Sequence, residues 1–267
     1  MALGELAIRG ATVSASVNEL STGLSLVAID DRVVLPTASV GKVLLLIEVA
    51  ARIVEGASSD LELLDKGSVA TVADSGVWQY LQAPSLPVGD VAALVGSLSD
   101  NLATNVLLHH VGLEAVRRRA ESIGLGRTAL LDAVRDQRGP DDAPQLSVGS
   151  TAELSWLFGS LARGHIVDAA VSQRVLDWLS LGTDLSLVAS AFGLDPLAHR
   201  QADHDIQLIN KTGTDTGVRS EAGVLFGPRS AVAYAVSVQF TDDSLQARLA
   251  VLDAMRTIGH DLLEHVH

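Results

Sequence analysis

The spacing of apolar and polar positions changes period twice along the chain. Residues 11–17, 24–29 and 33–35 are short, β-branched and loosely alternating. Turn-like segments at 18–23 and 30–31 separate them, which predicts a strand meander. From Thr37 the apolar residues recur at helical spacing in TASVGKVLLLIEVAARIV, a helix from Ser39 to about Glu55 stopped by Gly56. Helical patterns follow at 88–112, with Asp90 as a cap and Ser99-Asp100-Asn101 as a polar break, and then at 113–123, 151–161 and 167–179. The alternating pattern returns at 206–209 and runs into Asn210-Lys211-Thr212. A turn is expected over 213–217, a hairpin over 222–226 and 231–240, and a closing amphipathic helix over 242–265, capped by Asp242 or Ser244. Strands at both ends with helices between them predict an α+β fold. Residues 1–37 and 184–267 form a sheet domain, 38–183 form an all-helical domain, and a site lies between the two.

Two segments resist periodicity. Residues 57–87 hold Trp78 and Tyr80 near two prolines, either edging a ligand cleft or packing the loop. Residues 127–150 form a long, charged loop of a kind uncommon in a compact domain unless it serves a function. Arg117, Arg118 and Arg119 read as a solvated basic face.

Composition narrows the partners. The chain has 267 residues, no cysteine and a net charge of −13. Thiol catalysis and disulfides are excluded, and general binding to nucleic acid or to an anionic membrane is disfavoured. The start, MALGELAIRG, lacks the basic and apolar segments of a signal peptide. Read literally the protein is cytoplasmic, and an upstream segment would make it periplasmic or secreted. No metal or organic cofactor site is evident, which leaves a small-molecule substrate as the expected partner.

Three lysines stand against sixteen arginines, so each lysine draws notice as a group that can lose its proton. Ser39 and Lys42 lie three apart, about one helical turn, at the start of an apolar run. A serine hydroxyl must shed its proton as it attacks, and an amine one turn away can take it if burial or a nearby cation keeps that amine neutral. Ser99-Asp100-Asn101 reads either as a capped turn or as polar side chains aimed across a cleft, and Lys211-Thr212-Gly213 closes a strand.

Taken in order, Ser39-x-x-Lys42, Ser99-Asp100-Asn101 and Lys211-Thr212-Gly213 resemble the motif set of class A β-lactamases and penicillin-recognising serine hydrolases. The resemblance runs from about Ala11 to the end of the chain. It implies a sheet domain from both termini with an inserted helical domain. It also implies that Ser39 is the acylated nucleophile, Lys42 its base partner and Ser99 the proton donor to the leaving nitrogen. Asn101 contacts the substrate amide, and Lys211 with Thr212 draws a substrate carboxylate. The backbone N–H groups of Ser39 and Thr214, beside Gly213, form the oxyanion hole, and Arg219 is a second carboxylate contact or a surface arginine at a turn.

One departure from the family pattern matters. Class A enzymes place a glutamate and then an asparagine in the long loop, where they position the water that releases the acyl group. Here there is no glutamate between Glu121 and Glu153 and no asparagine between Asn105 and Asn210. Asp132 or Asp136 is the possible substitute. The expected function is therefore a β-lactamase-like serine hydrolase opening a β-lactam amide, or a related amide or ester, through acyl-Ser39, with impaired deacylation. The alternatives are an esterase or peptidase of the same fold, or a sensor that binds such ligands without turnover.

Overall fold

The computed structural model describes residues 2–242 and 244–267. Helix α1 (Ala2–Ile8) leads into β1 (Thr12–Glu19), β2 (Ser25–Ile29) and β3 (Leu35–Pro36). The helical block comprises α2 (Lys42–Val54), α3 (Val88–Leu98), α4 (Asn101–Val111), α5 (Leu113–Ser122), α6 (Thr151–Ala162) and α7 (Ala169–Leu179). Short strands β4 (Leu63–Asp65), β5 (Ser85–Pro87), β6 (Ala129–Leu130) and β7 (Ser147–Gly149) interrupt it. Strands β8 (Gln207–Asp215), β9 (Val218–Phe226) and β10 (Ala231–Gln239) precede the closing helix α8 (Leu245–Val266). The fold is α+β, with a five-stranded antiparallel sheet drawn from both ends in the order β2-β1-β10-β9-β8. No helix among the described residues is long and apolar enough to cross a membrane.

The two faces of this sheet carry different chemistry because side chains alternate along each strand. The outer face presents Val13, Ala15, Val17, Tyr234, Val236 and Val238 to a core shared with α1 and α8. The inner face is built from small residues. Register aligns Ser14, Ser237, Ser220 and Gly213 in one row, and Ser16, Ala235, Ala222 and Lys211 in the next. Small side chains let helices approach closely, and their hydroxyls are satisfied locally. Ser14 bonds Thr151 at 2.6 Å, Ser155 donates to Ser16 at 2.9 Å, and Ser220 bonds Ser237 at 2.8 Å. Helix α6 packs on this face, capped by Ser150. Behind it lies the helical core around the fully buried residues Leu45, Leu46, Ile47, Leu107, Leu157 and Phe158.

Several expectations shift in detail. The turn expected over 213–217 shrinks to Thr216-Gly217, so the Lys211-Thr212-Gly213 motif lies inside β8. Cross-strand pairing to β9 outweighs the local turn propensity of Gly and Thr. Helix α3 starts at Val88 with no side-chain cap, and Asp90 sits within its first turn. Helix α8 is capped by Ser244, which accepts from the Ala247 N–H; Asp243, inside the span expected for that helix, lies outside the described residues. Trp78 is fully buried, whereas Tyr80 is exposed.

Of the arginines of α5 only Arg118 is solvated, in a surface pair with Glu114; Arg117 and Arg119 turn inward. Arg117 donates to the Leu130 and Leu131 carbonyls, and Arg119 donates to Glu48 and Glu55. Glu48, 5% exposed, also accepts from Arg52 at 2.8 Å, so one buried carboxylate ties α2 to α5. Glu48→Gln is expected to lower unfolding free energy by about 2 kcal/mol in urea melts. This is less than for a fully buried pair, because both arginines reach water.

Candidate active site

The segment Ala38–Gly41 is one 3-10 turn that feeds directly into α2 at Lys42. Ala38 adopts φ 46°, a conformation that costs a residue with a Cβ and persists only when its surroundings impose it. Ser147 of β7 supplies that constraint. Its carbonyl accepts from the Thr37 N–H at 3.1 Å, its hydroxyl donates to the Ala38 carbonyl at 2.6 Å, and it meets the Thr37 hydroxyl at 2.7 Å. Two glycines permit the fit. A Cβ on Gly41 would lie 2.2 Å from Ser147 Cβ, and one on Gly213 would lie 2.1 Å from the Thr37 oxygen and 3.1 Å from the Ser39 nitrogen. The turn is thus wedged between β7 and β8. Ser39 is half-buried.

Lys42 is fully buried. Its Nζ donates to the Ser99 carbonyl at 2.6 Å and to Asn101 Oδ1 at 2.8 Å, and lies 3.2 Å from Ser99 Oγ. Burial first, and then the charge of Lys211, push this amine well below the usual lysine range, while Asp100 opposes them. A neutral amine has two hydrogens and one lone pair. Two of its three partners, the carbonyl and the amide oxygen, can only accept. The third contact, between Lys42 Nζ and Ser99 Oγ, joins two groups that can each give or take a hydrogen, so a proton can pass along it.

Helix ends position the motif Ser99-Asp100-Asn101. Ser99 closes α3 at φ 55°, and Asp100 caps α4 by accepting from the Ala103 N–H. The other oxygen of Asp100 accepts from Val77 and Trp78 N–H groups at 2.8 and 2.9 Å, which fastens the preceding loop beside the site. Asn101 Nδ2 donates to the Ala73 carbonyl, so its oxygen is turned to Lys42.

Across the cleft, Lys211 is buried, and its Nζ donates to the Thr212 carbonyl at 2.9 Å. Burial lowers its pKa to about 8, against the opposing charges of Asp184 and Glu221. Strand β8 is the sheet edge. Asp215 and Val218 flank a two-residue turn, where the closing pair exchanges both hydrogen bonds, so Thr214, one residue earlier, turns its N–H away from β9 toward the open edge. Arg219 pairs with Thr214 in register but is spent locally. Its Nη1 donates to the Asp215 and Val218 carbonyls, and its guanidinium stacks over Phe240.

The two candidate acids of the long loop are in different states. Asp132 accepts from the Ala133 N–H and from Arg135 and Arg138 at 2.7–2.8 Å. Partial burial works to raise its pKa, but the bonds from Arg135, Ala133 and Arg138 hold it below the carboxylate range. Asp136 is exposed and accepts from the Ala73 N–H at 2.8 Å, one peptide group from the carbonyl that holds Asn101. Asn105 clamps the loop by bonding both backbone groups of Val134.

Sequence reasoning gave no part to Ser147, Asn105, Asp184 or Glu221. Only Glu221 left a signal, as an acid inside an apolar strand. It is fully buried and accepts from Tyr234 Oη at 2.6 Å and Asn210 Nδ2 at 2.9 Å, and burial raises its pKa to about 7.

This sheet with its inserted helical block has the architecture of class A β-lactamases. A model of the β-lactamase enzyme family matches residues 3–266, and the chain belongs to that family. Its fold is similar to a β-lactamase from Sphaerobacter thermophilus DSM 20745, with a TM-score of 0.81 and 23% identity over 96% of this chain and 93% of that one. A mutant of PBP-A, solved as an acyl-enzyme complex with penicillin G, aligns at a TM-score of 0.80 and 20% identity over 99% of this chain and 95% of that one. An ancestral (GNCA) class A β-lactamase aligns at 0.77 and 22% identity over 98% of each chain. No curated protein sequence matches.

Gly213→Ala tests the wedge. The new methyl forces β8 away from Ser39, which separates the Ser39 and Thr214 N–H groups. The rate of serine acylation is expected to fall about a hundredfold, with the fold retained by circular dichroism.

Proposed function

We propose that the protein is a serine hydrolase that opens a β-lactam amide, or a related amide or ester, through an acyl-Ser39 intermediate and releases the acyl group slowly. The observation that carries this reading is the buried Lys42 amine, depressed in pKa and joined to Ser99 and Asn101, one turn from Ser39. Ser39 Oγ attacks the carbonyl carbon as its proton passes to Lys42. The oxyanion is received by the Ser39 and Thr214 N–H groups. The proton then moves from Lys42 through Ser99 Oγ to the leaving nitrogen, the C–N bond breaks, and the Ser39 ester remains. Water must cleave that ester to restore the serine.

The last step is the weak one. Asp132 is neutralised by two guanidinium groups, which makes it a poor base, and Asp136 is committed to the Ala73 N–H. A water-activating carboxylate placed as in class A enzymes is therefore missing from this reading. The same geometry favours a second reading, in which the protein binds such ligands covalently as a sensor.

An intact-mass time course with benzylpenicillin tests the proposal. The expected result is an adduct on Ser39 that decays over hours and never forms in Ser39→Ala. Turnover by Ser39→Ala would overturn the proposal, and an adduct that never decays would select the sensor.

The pH dependence is also specified. Acylation rises as pH climbs through the depressed pKa of Lys42, because the unprotonated amine is the base. With a carboxylate-bearing substrate the rate falls again above about pH 8, as Lys211 loses its charge. With an uncharged ester that alkaline fall is absent. Stopped-flow acylation rates from about pH 5 to about pH 10 check both limbs.

A further inference from the structure

A cavity of about 230 Å³ opens between β8 and the end of α3. Ser99, Lys211 and Thr212 line it, and so does Asp184, an exposed acid with no part in the chemistry above. Asp184 is fixed in place, accepting from the Ser186 N–H at 3.0 Å and from Thr212 Oγ1 at 2.7 Å. The protein packed around its carboxyl works to raise its pKa, but these bonds and the charge of Lys211 hold it below the ordinary carboxylate range, so it is an anion at neutral pH.

Three consequences follow for an incoming group. The Thr212 hydroxyl has given its one hydrogen to Asp184, so it offers the cavity only lone pairs. The positive charge of Lys211 is opposed by Asp184 beside it and by Glu221 behind it. Arg219, the second carboxylate contact that the resemblance implies, is held by the Asp215 and Val218 carbonyls and stacks on Phe240. An end of the site that needs surplus positive charge to hold a carboxylate has none to spare.

Resting on the acyl-Ser39 reading, we propose that Asp184 is a specificity-determining residue that turns this cavity toward acyl donors with a neutral or cationic group beside Thr212 and penalises those with a carboxylate there. A carboxylate in this place meets a fixed like charge and a hydroxyl oxygen that cannot donate. An ammonium meets two acceptors, and an uncharged ester or amide loses nothing. β-Lactams still acylate Ser39, at an efficiency limited by this repulsion.

Acylation efficiency is compared for benzylpenicillin and its uncharged methyl ester in the wild-type protein, Asp184→Asn and Asp184→Ser. The expected result is a gain of about tenfold for benzylpenicillin in both variants, with the methyl ester changed less than about twofold. Wild-type protein is also offered activated esters that differ only in a terminal ammonium, methyl or carboxylate group. Cationic over neutral over anionic is the expected order, and it collapses in the variants. Equal losses for both penicillins would overturn the proposal and make Asp184 only a support for Thr212, as would a wild-type preference for the anionic ester. No adduct from any probe in any of the three proteins would overturn the acyl-Ser39 reading itself, and the proposal with it.

Discussion

An amine sealed from water with no carboxylate bonded to it is the constraint around which this molecule is arranged. Lys42 is fully buried, and its fixed partners are a carbonyl, an amide oxygen and a hydroxyl. A charged ammonium is costly there, and a neutral amine is well served. The surrounding architecture keeps that environment intact. Helix α2 carries the lysine into the core, the junction of α3 and α4 supplies its acceptors, and Asp100 stitches the covering loop to the same junction through two N–H groups. The chemistry proposed for Ser39 depends on this placement more than on any property of the serine.

The sheet explains how a polar cleft is kept beside such a tightly packed interior. Its outer face is conventional, aliphatic and aromatic. Its inner face is a field of serine, alanine and glycine that draws α6 and the Ser39 turn down onto the strands. The serines add hydrogen bonds without bulk. The edge strand β8 then presents Lys211 on one face and Thr212 on the other, while its unpaired backbone faces the open side.

Much of this was legible in the sequence, for identifiable reasons. The long apolar runs of α2, α4 and α6 and the alternation in β1 and β10 are strong periodic signals, and strands at the two ends dictated a shared sheet. The three polar motifs marked where chain segments meet. Three kinds of feature stayed hidden. The Thr216-Gly217 turn was overestimated, because glycine and threonine look like turn residues until a neighbouring strand pairs with them. The arginines of α5 looked solvated, since nothing local reveals that Glu48, some seventy residues earlier, waits for Arg119. Ser147 and Asp184 lie in stretches without periodicity, and their importance comes only from what the fold brings against them.

The grip of Ser147 on the Ser39 turn bears on how such proteins diverge. The long loop is a natural unit for exchange among relatives, since it lies on the surface and differs here from the class A pattern. Yet its returning strand carries the side chain that imposes the strained backbone at Ala38, and Gly41 fits only against that side chain. The loop is therefore no free-standing cassette. A graft that imports a water-activating acid at its tip must also keep its root, or the change made for the second half of the proposed reaction will unseat the serine proposed to begin the first.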